Sequence, residues 1–107
     1  MRILYHYCME IIKNLNGSEL TIKLVGELNT ITSPFLEDVI KNDLNGIKSL
    51  IFDFSQLDYL SSSGLRTILV AQKIMDNQGK MVIKKPNDSI LEIFDITGFS
   101  SLLEIEN

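Results

Sequence analysis

Two spacings of apolar residues alternate along this chain, one of period two and one of three to four. Leu20, Ile22 and Leu24 are set against Thr21, Lys23 and Val25, which predicts a strand over Leu20 to Leu28. Glu10 to Leu15, with Ile11-Ile12, predicts a strand before it. Asn16-Gly17-Ser18 lies between them, and Asn-Gly is a strong hairpin signal because both residues accept positive φ. Residues 10 to 28 therefore predict an antiparallel hairpin. The spacing then changes. Phe35, Leu36, Val39, Ile40 and Leu44 form a helical stripe. Ser33 is the expected N-cap, Pro34 the first helical residue, and Glu37 and Asp38 suit the positive end. Asn45-Gly46 stops this helix.

Leu50 to Phe54 is a short apolar run, which predicts a buried central strand. A second helix is predicted from about Ser62 to Asn77, with Leu65, Ile68, Leu69 and Met75 on one face. Val70 and Ile74 lie nearly opposite. They are read as core ahead of a contact surface, since a helix that covers a sheet carries a wide apolar face. Met81-Val82-Ile83 predicts another strand. Pro86-Asn87-Asp88-Ser89 leads into a third helix with Ile90, Leu91, Ile93, Phe94 and Ile96 as its apolar residues and Gly98 as its C-cap. Leu102 to Ile105 is a last short strand. The order β-β-α-β-α-β-α-β implies an α/β fold: one domain, a mixed sheet of four to five strands covered by helices, with right-handed crossovers. Residues 1–8 read as an N-terminal extension and Met9-Glu10-Ile11-Ile12 as the natural start. Met9 is the expected initiator, and the domain spans residues 9–107.

Composition narrows the function more than the fold. The 107 residues are 45% hydrophobic and 22% charged, enough for one real core. A net charge of −4 and a pI near 4.8 argue against a nucleic-acid binder, which is more often basic. Cys8 is the single cysteine, so neither an intrachain disulfide nor a multi-cysteine zinc site is available. No apolar run approaches the roughly 20 residues of a membrane span. A cytoplasmic location is expected, with no cofactor and no metal.

The chemistry of interest lies where the predicted central strand hands over to the second helix, in Asp58-Tyr59-Leu60-Ser61-Ser62-Ser63-Gly64-Leu65-Arg66. The first turn of a helix has unpaired N–H groups and a partial positive charge, so an attached anion is tolerated there. A nucleophilic serine would need a base beside it. The only histidine is His6, in the extension, and neither G-x-S-x-G nor S-x-x-K spacing occurs at the serines. Nucleotide loops of the G-x-x-x-x-G-K-[ST] or G-x-G-x-x-G kind are missing. An enzyme is therefore not expected. As structure, one serine is an N-cap. If Ser61 caps, Ser62 opens the first turn with a free hydroxyl suited to a kinase, and Ser63 is its rival. Gly64 would let another protein approach the backbone.

From Met9 onward the chain resembles the STAS family, specifically the bacterial anti-sigma factor antagonists. The resemblance rests on Gly26-Glu27-Leu28, on Phe52-Asp53-Phe54-Ser55-Gln56-Leu57-Asp58-Tyr59-Leu60 leading into Ser62-Ser63-Gly64-Leu65, and on Ile93-Phe94-Asp95-Ile96-Thr97-Gly98-Phe99. It implies partner switching in transcription regulation. The unphosphorylated antagonist binds an anti-sigma factor, freeing a sigma factor, and that anti-sigma factor is also the serine kinase. A PP2C-type phosphatase reverses the modification. The acceptor it implies is Ser62, two positions before Gly64, with Ser63 as the rival. The partner-binding residues it implies are Asn29, Ser61, Ser62, Ser63, Gly64 and Leu65, on a chain that is monomeric when free. Two positions depart from the family pattern. Asn29 stands where relatives often have Asp, and Ser61 where sporulation-type antagonists have Asp. The alternative is a STAS interaction module without phosphorylation, a scaffold in a signalling or lipid-transport complex.

Overall fold

The computed structural model describes the backbone of residues 2–5 and the whole of residues 9–107; Met1, His6, Tyr7 and Cys8 lie outside the described residues. The strands are β1 (Arg2–Tyr5), β2 (Met9–Asn16), β3 (Glu19–Leu28), β4 (Ser49–Leu60), β5 (Lys80–Lys84) and β6 (Glu104–Glu106). The helices are α1 (Ser33–Asp43), α2 (Ser62–Asp76) and α3 (Asp88–Thr97), and a short 3-10 turn follows at Phe99–Ser101. The strands form one sheet in chain order. β1, β2 and β3 pair antiparallel, and β3 to β6 pair parallel. Residues 9–107 thus contain the five strands and three helices that the pattern predicts, in that order. One strand more, β1, adds itself to the edge from the segment set aside as an extension, with Tyr5 opposite Met9.

The β2–β3 turn is shorter than Asn16-Gly17-Ser18 suggests. Asn16 stays in β2 opposite Glu19, and Gly17 alone takes positive φ, at +64°. A two-residue loop opening on such a glycine matches the twist of the flanking strands.

β4 is the largest departure from the sequence pattern: 12 residues rather than the five of Leu50–Phe54. Its inward residues are Leu50, Phe52 and Phe54 at period two, then Leu57 and Leu60 at period three. Its register with β3 slips twice, between Lys23 and Val25 and between Gly26 and Glu27, each slip adding one residue to β4. Each bulge swaps the face the next side chain points to, which converts a spacing of two into three. The strand therefore runs to the serine block while looking, in sequence, as if it stops at Phe54.

One face of the sheet is buried beneath the helices. Leu20, Ile22, Leu24, Leu50, Phe52 and Ile83 share a core with Leu36, Ile40, Ile68, Met75 and Phe94. Each such side chain contributes about 1.5–3 kcal/mol by leaving water. The other face is half-exposed, and its cross-strand row alternates in charge: Lys23, Asp53, Lys84, Glu106. Lys84 Nζ lies 3.9 Å from Glu106. Burial pushes the Asp53 carboxyl up, but hydrogen bonds from Ser55 and the charges of Lys23 and Lys85 outweigh it and hold it below the usual carboxylate range.

Two helix readings are corrected. α1 begins at Ser33 with Thr32 as N-cap, and no side chain caps it. Ser33 is buried and turned back, its N–H and hydroxyl both donating to the Asn29 carbonyl at 2.8 and 2.6 Å. Glu37 and Asp38 fall beyond the first turn. On α2, Val70 is exposed and not core, whereas Ile74 is half-buried against the core. The last strand also starts later than predicted, because Phe99–Ser101 coils first and Leu103 turns inward.

Candidate functional site

The site forms where two chain crossings meet. β3 ends at Leu28 and β4 at Leu60, directly opposite each other in the parallel register. The Ser61 N–H donates to the Leu28 carbonyl at 2.9 Å, so α2 starts against the loop that leaves β3.

The three serines have three different environments. Ser61 is the N-cap, in extended conformation (φ −88°, ψ 173°), and its Oγ accepts the Gly64 N–H at 3.1 Å. Ser63 lies in the first turn, half-buried, its Oγ 3.3 Å from the Thr30 hydroxyl. Its carbonyl also accepts the Thr67 hydroxyl at 3.1 Å. Ser62, between them, is the first residue of α2 and is exposed, and its hydroxyl has no hydrogen-bond partner among the described residues. The Ser62 and Ser63 N–H groups are among those a helix leaves without an internal acceptor.

Gly64 and Leu65 have inward roles. Gly64 is buried, and a Cβ there would lie 2.8 Å from both the Leu28 Cγ and the Leu28 carbonyl oxygen, and 2.9 Å from Leu60. The close approach that needs a glycine is made by this chain's own strand ends. Leu65 is buried in the core, so its side chain holds α2 to the sheet and is withdrawn from the surface.

Asn29 stands half-buried at the head of the loop. Its Oδ1 accepts the N–H groups of Ile31 and Thr32 at 2.9 and 3.0 Å, and Nδ2 reaches Glu27 Oε1 at 3.4 Å. Thr32, fully buried, returns a bond from its Oγ1 to the Glu27 carbonyl at 2.9 Å and accepts the Asn29 N–H at 2.8 Å. Asn29 therefore shapes the loop that presents Thr30 to Ser63. A carboxylate could accept the same two N–H bonds.

Thr30 and Arg66, to which the sequence assigned no role, complete the surface. Thr30, Pro34, Glu37, Ser63, Arg66 and Val70 line a groove of about 200 Å³ between α1 and α2, beside the serines. Arg66 follows Ser62 by four residues, which puts both on one side of α2. The Ser62/Arg66/Val70 spacing was the available signal for that side of the helix. Among the described residues, no group of three His, Cys, Asp or Glu could hold a metal ion, and no helix is long and apolar enough to cross a membrane.

Residues 9–107 match the family model for the STAS domain. BtrV of Bordetella bronchiseptica, which bears the name of an anti-sigma factor antagonist, is 33% identical over 86 residues, 78% of this chain and 74% of that protein. An anti-sigma factor antagonist from Mycobacterium paratuberculosis superposes with a TM-score of 0.83 at 16% identity, over 92% of this chain and 85% of its own. SpoIIAA of Bacillus, in its phosphorylated form, superposes with a TM-score of 0.73 at 17% identity, over 91% of each chain. At those two identities the likeness is one of fold.

Proposed function

The chain belongs to the STAS domain family, and from that footing we propose that it is an anti-sigma factor antagonist switched by phosphorylation of Ser62. In its unphosphorylated form it binds an anti-sigma factor and so releases a sigma factor. The same anti-sigma factor is the kinase, and a PP2C-type phosphatase restores the hydroxyl. The naming of the BtrV relative and the existence of a phosphorylated form of SpoIIAA support this reading.

One observation carries it: of three consecutive serines, Ser61 and Ser63 spend their hydroxyls inside the chain, and Ser62 does not. Phosphate there adds about −1.5 to −2 charges and several acceptor oxygens. The positive end of α2 tolerates that charge. A partner surface that covers a neutral hydroxyl does not, because an unpaired charge costs several kcal/mol to bury. Release then needs only a local charge, with no rearrangement of the fold. Asn29 fills its structural role through an oxygen acceptor, so the departure from Asp leaves the platform around Ser62 in shape.

Labelling with ATP and the recombinant kinase tests the assignment. Ser61→Ala and Ser63→Ala incorporate phosphate, and Ser62→Ala does not. Full labelling of Ser62→Ala would remove Ser62 from the proposal.

A further inference from the structure

A second groove, of about 480 Å³, opens on the other flank of α2, against the 3-10 turn and Leu102. Its apolar lining is Leu69, Val70, Phe99 and Leu102. Leu102 is 62% exposed and Val70 39%, an apolar surface that none of the described residues covers. The groove is continuous with the serine site, since Arg66 and Val70 line both it and the α1–α2 groove.

Its charge is opposite to that of the molecule. Arg66 and Lys73 line it, both exposed, and neither has an ion pair among the described residues. The one carboxylate in the lining, Asp76, accepts Gln72 Nε2 at 2.8 Å and leaves the two cations in excess. Ser62, Arg66, Val70 and Lys73 recur at helical spacing, so they form one exposed stripe about 16 Å long. That stripe carries two cations on a chain of net charge −4.

We infer that this groove receives an amphipathic helix of the anti-sigma factor, its apolar side against Val70 and Leu102 and its carboxylates toward Arg66 and Lys73. This inference rests on the antagonist function proposed above and extends its docking surface from the serines to the far end of α2. An apolar groove that binds a helix needs anchors three to four residues apart, which the length of the stripe accommodates. The arrangement also ties the groove to the switch. A phosphate on Ser62 lies one turn before Arg66, the favourable order for an anion–cation pair on a helix. Phosphorylation therefore occupies one of the two cations that the acidic partner helix uses, and Arg66 offsets only one of the phosphate's roughly −1.5 to −2 charges, so the remainder stays unpaired at the interface.

The test uses the anti-sigma factor recovered on immobilised Ser62→Ala protein and then expressed as a pure recombinant protein. It is titrated against wild type, Ser62→Asp, Leu102→Asp and Lys73→Glu. Leu102→Asp and Lys73→Glu each weaken binding tenfold or more; the melting temperature of Leu102→Asp stays at the wild-type value, and that of Lys73→Glu falls only by the few degrees that reversing a charge in the last turn of α2 costs. In the complex, hydrogen exchange slows at residues 66–73 and 99–102. If both variants bind like wild type while Ser62→Asp is weakened, the groove is not a contact and only the serine site stands. If no form binds an anti-sigma factor, the antagonist function falls and the groove's occupant with it. If wild type sediments as a dimer that Leu102→Asp dissociates, the groove belongs to a second copy of this chain and the inference is overturned.

Discussion

The Ser61 hydroxyl accepts the Gly64 backbone N–H at 3.1 Å, and this single bond sorts the serine block. It makes Ser61 the cap, places Ser62 at the first helical position, and brings Gly64 down onto Leu28 and Leu60. The residue that closes the helix end leaves its neighbour's hydroxyl free.

Ser61→Ala is expected to cost about 1 kcal/mol, the usual price of losing a serine cap. In a domain of this size that lowers the melting temperature by roughly 4–8 °C. Phosphate incorporation at Ser62 persists, because the acceptor hydroxyl is untouched. Calorimetric melting beside a labelling assay reads both effects.

Gly64→Ala is expected to destabilise more than its helical position suggests. Alanine gains about 1 kcal/mol of helix propensity over glycine. The added methyl would meet the Leu28 carbonyl, which is backbone already holding the Ser61 N–H, and such overpacking typically costs about 1–3 kcal/mol. A net fall in stability by urea denaturation, with weakened partner binding, is the expected result. A variant as stable as wild type would show that α2 can shift away from the strand ends.

Asn29 separates loop shape from charge. Asn29→Ala removes the acceptor of two backbone N–H groups and is expected to cost about 1–3 kcal/mol. Asn29→Asp keeps the acceptor but sets a second carboxylate against Glu27, so it is expected to lose less stability than Asn29→Ala without matching wild type. Melting curves of the two variants decide. Equal losses in both would show that the Nδ2 contact to Glu27, not the Oδ1 turn, holds the loop.

The hairpin, the strand–helix alternation and the α2 cap were legible because each is written in a few adjacent residues. Gly17 still takes the positive φ of the turn, and Ser61 still meets Gly64 three residues on. The far half of β4 was not legible, since its two bulges give Phe54, Leu57 and Leu60 a spacing that belongs to neither strand nor helix. Ser33 misled for a related reason. It has the residue type of a cap, but the Asn29 carbonyl captures it through a contact that sequence does not print. At the site, an unassigned serine among three could be picked out once Ser61 was taken as the cap. The inward turn of Gly64 and Leu65 depends on where Leu28 and Leu60 lie, and so needed the fold.

Asp53 predicts an acid-range signature. Its carboxyl titrates below 3.8 in the folded chain, so its contribution to stability is fully present above that pH. The contribution disappears as pH falls through the lowered value. Asp53→Asn, which can still accept the Ser55 N–H that Asp53 Oδ1 receives at 2.9 Å, is expected to be less stable than wild type at pH 6. The two converge on urea denaturation as pH falls through that lowered value. A constant gap across that range would show that the charge is not what the neighbouring lysines stabilise.

Titration calorimetry of the recombinant anti-sigma factor against the protein with and without phosphate on Ser62 tests the central claim most directly. Burying an unpaired charge at the interface by even about 3 kcal/mol corresponds to roughly a hundredfold loss of affinity. The account predicts that the phosphorylated form binds at least that much more weakly while its melting temperature stays at or above that of the unmodified form. Equal affinity of the two forms would contradict it.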